Sequence, residues 1–408
     1  MSQKNYGKNW DTPVLILGCK LGGLAILRTL GPLAVKVYGV DDDENNPVIK
    51  SKFLEQHFIK AIDPDNTNEY LDFVIGLSKI IGGKAVLIPT SDDLSVFVAK
   101  NSASLKEYFL FPENSGDLLD RLANKKRMFQ LALDNDIPTP HITCPRNLED
   151  VKNTIAKLNF PIMLKGIDGN KLMERTGKKM VIVHSEQELI DAYNKLENPE
   201  DPNLMLQELI PGNDDQVYIF NGYFNCNSDC LAAFTGHKVR QYPVHVGCAS
   251  LGECRWHERV ANKTISLMKA VGYKGILDIG YRLDPRDGRY KVLDINPRVG
   301  QAFRIFVSKN NMDVIRCLYL DLTGQSQPDI EPIDGRRWVI EDYDIVSSFD
   351  YFNEGTLSFV NWFKSLKNIQ EGAWFSLRDP MPFLVHFGRF TAHGIRWVIQ
   401  KTFHSKTR

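Results

Sequence analysis

The chain has 408 residues, 43% of them hydrophobic, and its 50 basic side chains are balanced by 50 acidic ones. That length supports two or three domains with real cores, and zero net charge disfavours nucleic acid as the main partner, because phosphate-backbone binding needs a local basic excess. The polar start MSQKNYGKNWDT lacks the apolar stretch of a signal peptide, no run approaches the ~18 apolar residues of a membrane span, and seven scattered cysteines without a C-x-x-C pair point to free thiols in a reducing cytoplasm rather than to zinc.

In chain order, residues 13–17 read as a short buried strand. Gly18-Cys19-Lys20-Leu21-Gly22-Gly23 turns into a helix running to Leu30, and residues 35–40 form a second strand ending at Asp41. Asp41 lies about 20 residues after Gly18, where a dinucleotide-binding fold keeps its ribose acid, but the glycine spacing is G-x-x-x-G-G rather than G-x-G-x-x-G. The stretch therefore supports NAD binding no better than a tight turn where a helix packs on a sheet. Residues 85–89 form a buried strand whose carboxyl end carries Thr90-Ser91-Asp92-Asp93, at the edge where open α/β sheets receive ligands. Residues 1–112 are expected to make one α/β domain.

Residues 124–140 read as an amphipathic helix ended by Ile137-Pro138-Thr139-Pro140. Lys125 and Lys126 stand at its positive start, where a cation is disfavoured unless an anion is near. Phe160-Pro161-Ile162-Met163-Leu164-Lys165 is an apolar strand ending in a lysine, which is costly to bury unless it faces a partner or ligand. Residues 166–179 read as a mobile, glycine-rich basic loop between two strands, with Lys178 and Lys179 placed to close over phosphates; an ordinary hairpin is the plainer alternative. Residues 203–209 form a strand that runs on as an extended segment to Pro211-Gly212. There the Glu208 C=O and Ile210 N–H would meet an adenine edge, Met163 or Leu206 would cover its face, and Asp214 or Asp215 would meet ribose hydroxyls. Strands alternate over 217–234, residues 237–243 project Lys238 and Arg240 on one face, and a helix spans 258–271.

The densest chemistry falls between residues 277 and 300. Residues 277–283 and 290–295 read as a β-hairpin closed by Asp284-Pro285-Arg286-Asp287-Gly288. Asp294 and Asn296 leave the same face of their strand, and Asp278 faces them from its partner. Such all-oxygen ligands suit Mg²⁺ beside a phosphate chain, with Arg298 placed to hold a developing anion. A helix over 307–322 closes the unit, and the polar, Pro-rich stretch 325–337 marks a boundary.

These pieces, in this order, resemble the ATP-grasp ligases over residues 10–325: Lys125 opening a helix that ends in Ile-Pro-Thr-Pro, the Phe-Pro-x-x-x-Lys strand, the glycine-rich stretch, the hinge at 207–212 and Asp294-Ile295-Asn296-Pro297-Arg298. The Asp-Ile-Gly-Tyr-Arg pattern at 278–282 and Asp-Pro-x-Pro-Phe at 379–383 are most similar to D-aspartate-ligase-like carboxylate–amine ligases. The resemblance implies an α/β (α+β ATP-grasp) fold: a parallel-sheet pre-ATP-grasp domain over 1–112, a two-lobed ATP-grasp domain over 113–325 whose antiparallel sheets clamp ATP, with a small mobile lobe at about 143–210, and a C-terminal extension over 326–408. It implies Lys125, Lys165, Lys178 and Lys179 on phosphates, Gln207, Glu208, Leu209 and Ile210 around adenine, and Asp215 at the ribose. Asp278, Asp294 and Asn296 would hold one or two Mg²⁺ or Mn²⁺ ions, and Arg298 would steady an acyl phosphate with Lys238 and Arg240 beside it. Two departures stand out: Asp294 replaces the usual glutamate, and Gly280 stands where many members carry their other metal-binding acid, which leaves the number of ions open.

The implied activity joins a carboxylate to an amine, both amino acids or amino-acid-like, through an acyl phosphate, releasing ADP and phosphate; a homodimer is left open. A non-catalytic ATP-binding regulatory protein, which Gly280 would suit, and an NAD-dependent oxidoreductase are the alternatives, while a carboxylase is disfavoured by the absence of a biotin-carrier Met-Lys-Met. The last element is expected to be a basic amphipathic helix. From Pro382 to Arg408 no acid occurs, Arg389, Arg396, Lys401, Lys406 and Arg408 are basic, and Phe383, Leu384, Phe387, Phe390, Trp397 and Val398 recur at near-helical intervals. Such a helix either packs on the body or lies against anionic headgroups, giving a cytoplasmic protein with peripheral contact at the inner membrane face.

Overall fold

The structure, a computed structural model, describes residues 8–155 and 159–404, with side chains of the last helix as far as residue 392. Five strands, β1 (Val14–Leu17), β2 (Val37–Asp41), β3 (Leu54–Ile59), β4 (Ala85–Pro89) and β5 (Phe109–Leu110), form a parallel sheet ordered β3-β2-β1-β4-β5. β1 and β2 are buried throughout because helices cover both faces. Val14, Ile16 and Val37 face a core shared with helices Leu21–Leu30 and Val314–Leu322, while Leu15, Leu17 and Val40 face one shared with helix Thr67–Ile81.

The βαβ start is present, and its turn is braced from within. Gly18 has φ +86°, and a Cβ there would stand 2.6 Å from Thr90 Oγ1, which donates to the Gly18 carbonyl. Asp41 is buried and accepts from the N–H groups of Cys19 at 2.6 Å and Asp43 at 2.9 Å. Asp41 is thus an internal brace for the turn, which disfavours the oxidoreductase alternative.

A second, antiparallel sheet is ordered β6-β9-β7-β8 and comprises β6 (Ile142–Thr143), β7 (Ile162–Gly166), β8 (Met180–Val183) and β9 (Leu204–Glu208). With helices Leu148–Ile155 and Glu186–Leu196 it encloses its own core, including Val151, Leu164, Leu189 and Leu206, so this lobe packs as a unit. The stretch expected as a glycine-rich loop is instead a helix, Gly169–Thr176. Asp168 caps it, accepting from Asn170 and Lys171, and Gly177 ends it at φ +72°. Two of the three glycines counted as loop signals are therefore helix punctuation, at the first position and the C-cap.

The third sheet adds β10 (Val217–Phe224), β11 (Cys230–Tyr242), β12 (Cys248–Cys254), β13 (Gly275–Asp284), β14 (Arg289–Asn296), β15 (Arg337–Val339) and β16 (Ile369–Gly372), ordered β14-β13-β10-β11-β12-β15-β16. One face packs helices Lys125–Asp134 and Glu258–Ala270. The other packs helix Val314–Leu322 against the first domain. That helix is shorter than the expected 307–322 because Asp313 caps it, accepting from Ile315 and Arg316 at 3.0 Å.

Residues beyond 325 extend this sheet: β15 pairs with β12, and β16 with β15. The expected extension is thus bound into the body. Arg304 joins Asp313 at 2.8 Å and Glu371 at 2.7 Å, and Arg28 joins Asp379 at 3.1 Å, where Ser51 also donates. Asp379 of the Asp-Pro-x-Pro-Phe pattern is therefore an anchor to the first domain. The final helix, Met381–His404, docks through His386, 3.0 Å from Asp342 and stacked on Trp374. The side chains of Arg396, Trp397, Val398 and Lys401, and all of Lys406 and Arg408, lie outside the described residues. Among the described residues no helix is long and apolar enough to cross a membrane.

Candidate active site

Strand register builds the site's floor. Asp278 lies opposite Asn296 and Gly280 opposite Asp294, with a bulge just beyond them between Gly280 and Tyr281. Strand alternation sends Leu277, Ile279 and Ile295 into the core behind and turns Asp278, Gly280, Asp294 and Asn296 to the other face. The hairpin turn needs Gly288 at φ +67°, its N–H donating to the Asp284 carbonyl at 2.8 Å. Asp284 holds Lys291 at 2.6 Å and Arg286, and Arg286 reaches on to Glu208 at 2.6 Å. Burial works to raise the Glu208 carboxyl, but the His141 N–H, Arg286 and Lys291 together hold it below its ordinary value. The Glu208 side chain therefore braces the hinge strand against the hairpin turn, and its backbone N–H donates to the His141 carbonyl at 2.9 Å, while Leu209 is half-buried and Ile210 buried.

Two lysines from different units meet above this floor. Lys125 begins helix Lys125–Asp134, which Asn124 caps through the Arg127 N–H, and it ion-pairs with Asp294, while Lys126 is exposed. Lys165, at the end of β7, lies over the Phe129 ring at 5.4 Å. Burial lowers Lys125 to about 8, with nearby Asp92 opposing the shift. Burial and then the charge of Lys125 lower Lys165 to about 7. Asp294 offsets part of this at Lys125, and an anion between the two lysines would relieve both.

On the hinge side, Met163 pairs with Gln207 and Lys165 with Met205, whereas Leu204 and Leu206 belong to the small lobe's core. Alternation thus leaves Met163 on the face of Lys165 and corrects the assignment of Leu206 as a base cover. Gln207 is buried and its Oε1 has no hydrogen-bond partner among the described residues. Asp214 accepts from Gln241 at 2.9 Å, from Tyr351 and from His245, whereas Asp215 is exposed. Lys178 and Lys179 are exposed beyond the Gly177 cap, with Lys179 Nζ 3.3 Å from Asn170.

Toward the first domain, Arg298 lies 3.2 Å from Asp92 and donates to Asn296 Oδ1 at 3.2 Å. Burial raises the Asp278 carboxyl against the pull of Arg298 and Lys238. The loop after β14 folds onto Asp278 so closely that a Cβ on Gly300 would stand 2.3 Å from its Oδ2. Lys238, lowered by burial, donates to the Gly247 carbonyl at 2.7 Å. Arg240 does not join it. Register shifts in β11 between Lys238 and Gln241 break the alternation that would put both cations on one face. Arg240 is instead 4% exposed, bound to both Asp344 oxygens at 2.8 and 2.9 Å and to Ser365, which makes it a structural ion pair with the C-terminal helices. Sequence reasoning missed Asn221, which lies opposite Asp278 and extends the row Asn221–Asp278–Asn296 across three strands; the signal was a lone amide within an apolar strand.

Among the described residues no group of three or more His, Cys, Asp or Glu side chains is placed to hold a metal. The donors at the floor are two carboxylates and amide oxygens, a hard-cation set. Gly280 sits between them with no atom within 4 Å of where a Cβ would be, so the face beside Asp294 has room for an oxygen-bound ion.

This arrangement, with a parallel domain, a small antiparallel lobe and a large sheet carrying an acid-x-Asn-x-Arg strand, is an ATP-grasp fold, and solved structures agree. An N5-carboxyaminoimidazole synthetase from Staphylococcus aureus, solved with ADP, matches with TM-score 0.63 at 14% identity, over 85% of this chain and 87% of that one. An L-amino acid ligase from Bacillus licheniformis matches with TM-score 0.61 at 16% identity, over 81% and 79%. In sequence the chain is 23% identical over 329 residues to the D-aspartate ligase of Enterococcus faecium (strain Aus0004), spanning 76% of this chain and 77% of that protein. No protein-family profile matches the chain. The chain therefore has the ATP-grasp fold, and its sequence is similar to that of a carboxylate–amine ligase.

Proposed function

We propose that the chain is an ATP-dependent ligase that joins a carboxylate to an amine through an acyl phosphate. The observation that carries this is the pair Lys125 and Lys165, brought from two lobes to one place and both depressed, above a face of Asp278, Asp294 and Asn296. Lys125 and Lys165 bind the phosphate chain, and Met163 with the backbone of 207–210 receives the base. Asp294, Asn296 and Asp278 are the side chains that would hold Mg²⁺, which when bound neutralises phosphate charge. A substrate carboxylate oxygen bonds to the γ-phosphorus as ADP leaves. The amine then bonds to the acyl carbon, phosphate leaves and the amine gives up a proton. Arg298 stabilises the oxyanion formed in that second step. The likeness to D-aspartate ligase and L-amino acid ligase supports amino acids as the substrate class. An ADP-release screen over amino-acid pairs, with mass spectrometry of the product, tests this; ATP binding without turnover on any pair would favour a regulatory nucleotide-binding protein, which Gly280 suits.

The basic terminal helix is carried as a contact for anionic headgroups. His386 docks its first turns, while Met381 and Leu384 are about half exposed. Co-sedimentation with anionic vesicles at low salt, comparing the full chain with one ending at Ala392, tests it; equal recovery of both in the supernatant removes the contact.

A further inference from the structure

The five-residue loop between β11 and β12, residues 243–247, contains an imidazole held between two carboxylates. His245 Nδ1 lies 3.1 Å from Asp214 Oδ1, and Nε2 lies 2.9 Å from Glu354 Oε2. A neutral imidazole has one donor and one acceptor nitrogen, so satisfying both carboxylates requires the doubly protonated ring. Its backbone is at φ +65°, in the left-handed region that residues other than glycine adopt uncommonly, histidine more readily than most.

The loop has no slack. Gly247 N–H donates to the Pro243 carbonyl at 2.9 Å, and a Cβ on Gly247 would stand 2.0 Å from the Tyr242 carbonyl group. The Gly247 carbonyl in turn receives Lys238 Nζ at 2.7 Å. A continuous path thus runs from Glu354, at the end of the C-terminal helix Glu341–Asn353, through His245 and its loop to Lys238, whose charge acts on Asp278. Asp214, in the turn that follows the hinge, is fixed by the same ring, by Tyr351 and by Gln241.

We propose that His245 is a positioning residue for the ligase site: bridging Asp214 and Glu354 as an imidazolium, it clamps the 243–247 loop so that the Gly247 carbonyl holds Lys238 in place. The residues after 325 thereby support the site and do not merely trail from it. This rests on the ligase reading above only in so far as Lys238 serves that reaction. The groups facing the ring are Asp214 and Glu354, with the Tyr351 ring at 5.3 Å. Burial disfavours the charged imidazole, but both carboxylates outweigh it and raise His245 above its ordinary value. A raised histidine is charged below its folded value, so the clamp is complete below the ordinary histidine range and opens as pH rises through the raised value.

The test uses the full chain, His245→Gln and Glu354→Gln. Histidine and lysine side-chain NMR titrations come first, with assignments fixed by His245→Gln and Lys238→Arg. The clamp predicts that His245 titrates above a free histidine, that Glu354→Gln brings it down, and that Lys238 moves up toward free lysine in His245→Gln as the loop admits water. Turnover follows. Both variants keep ATP affinity within about twofold and lose roughly 10- to 100-fold in kcat. Adding His245→Gln to Lys238→Ala costs nothing further, and the wild-type alkaline limb is missing from His245→Gln. A His245 that titrates like free histidine, a Lys238 resonance indifferent to His245→Gln, or multiplicative losses in the double variant overturns the proposal. A wild-type chain that binds no ATP sinks the ligase reading alone, since the two titrations still decide the clamp.

Discussion

Nucleotide binding should draw protons from solution, because the lysines that would meet the phosphates are held partly neutral. Lys165 is lowered to about 7 and Lys125 to about 8. At pH 8 the first is ~90% and the second ~50% deprotonated, so charging both against an incoming triphosphate binds ~1.4 protons per nucleotide. Phosphate favours the ammonium form, so the sign is uptake, and affinity falls as pH rises from 7 to 9. At pH 6 both are already charged and the uptake nearly vanishes. Calorimetry of Mg·ATP binding at pH 6 and 8, in buffers of different ionisation enthalpy, reads the proton count as a slope. Lys165→Met should leave ~0.5 proton at pH 8 and weaken binding. The same change should stabilise the nucleotide-free protein, since the fall from 10.5 to about 7 corresponds to ~5 kcal/mol of unfavourable burial and repulsion from Lys125. A depressed lysine imposes its full cost below its folded value and none above its unfolded one. Urea unfolding should therefore show a gain of a few kcal/mol near pH 7 that fades toward pH 10. Binding enthalpies at pH 8 that do not depend on the buffer, or a Lys165→Met protein less stable than wild type, would refute the reasoning.

Arg298→Ala should lower kcat by ~10²-fold or more with ATP affinity nearly unchanged; steady-state kinetics beside calorimetry separate the two, and unchanged turnover removes Arg298 from the chemistry. Asp294→Asn should raise the half-saturating Mg²⁺ concentration at least ~10-fold, the scale on which metal sites respond to altered ligands, and it also takes the charge partner from Lys125; a wild-type Mg²⁺ titration of turnover contradicts the metal assignment. Arg240→Met should act on stability, costing ~3–5 kcal/mol because Asp344 is left buried without its partner; a variant as stable as wild type with lost turnover would return Arg240 to the active site.

Local sequence carried the elements whose signal is periodic or stereochemical. The buried strands at 13–17 and 85–89, the hairpin with its Gly288 turn and the lysine-led helix were legible, because alternation and turn geometry follow from neighbouring residues alone. So was the shared face of Asp278, Asp294 and Asn296, which a strand's period of two fixes once the hairpin is granted. Where period two was not applied, Leu206 was misplaced. Where a bulge broke it, Lys238 and Arg240 were wrongly set on one face. Only the tertiary structure could show that Asp41 braces its own turn, that Arg240 belongs to Asp344 and Asp379 to Arg28, and that residues beyond 325 complete the large sheet. Apart from Asp41, whose partners Cys19 and Asp43 are nearer, each of these hangs on a partner far along the chain. A charged group's role is set by what desolvates and pairs it, and no local pattern encodes a partner brought up from the far end of the chain.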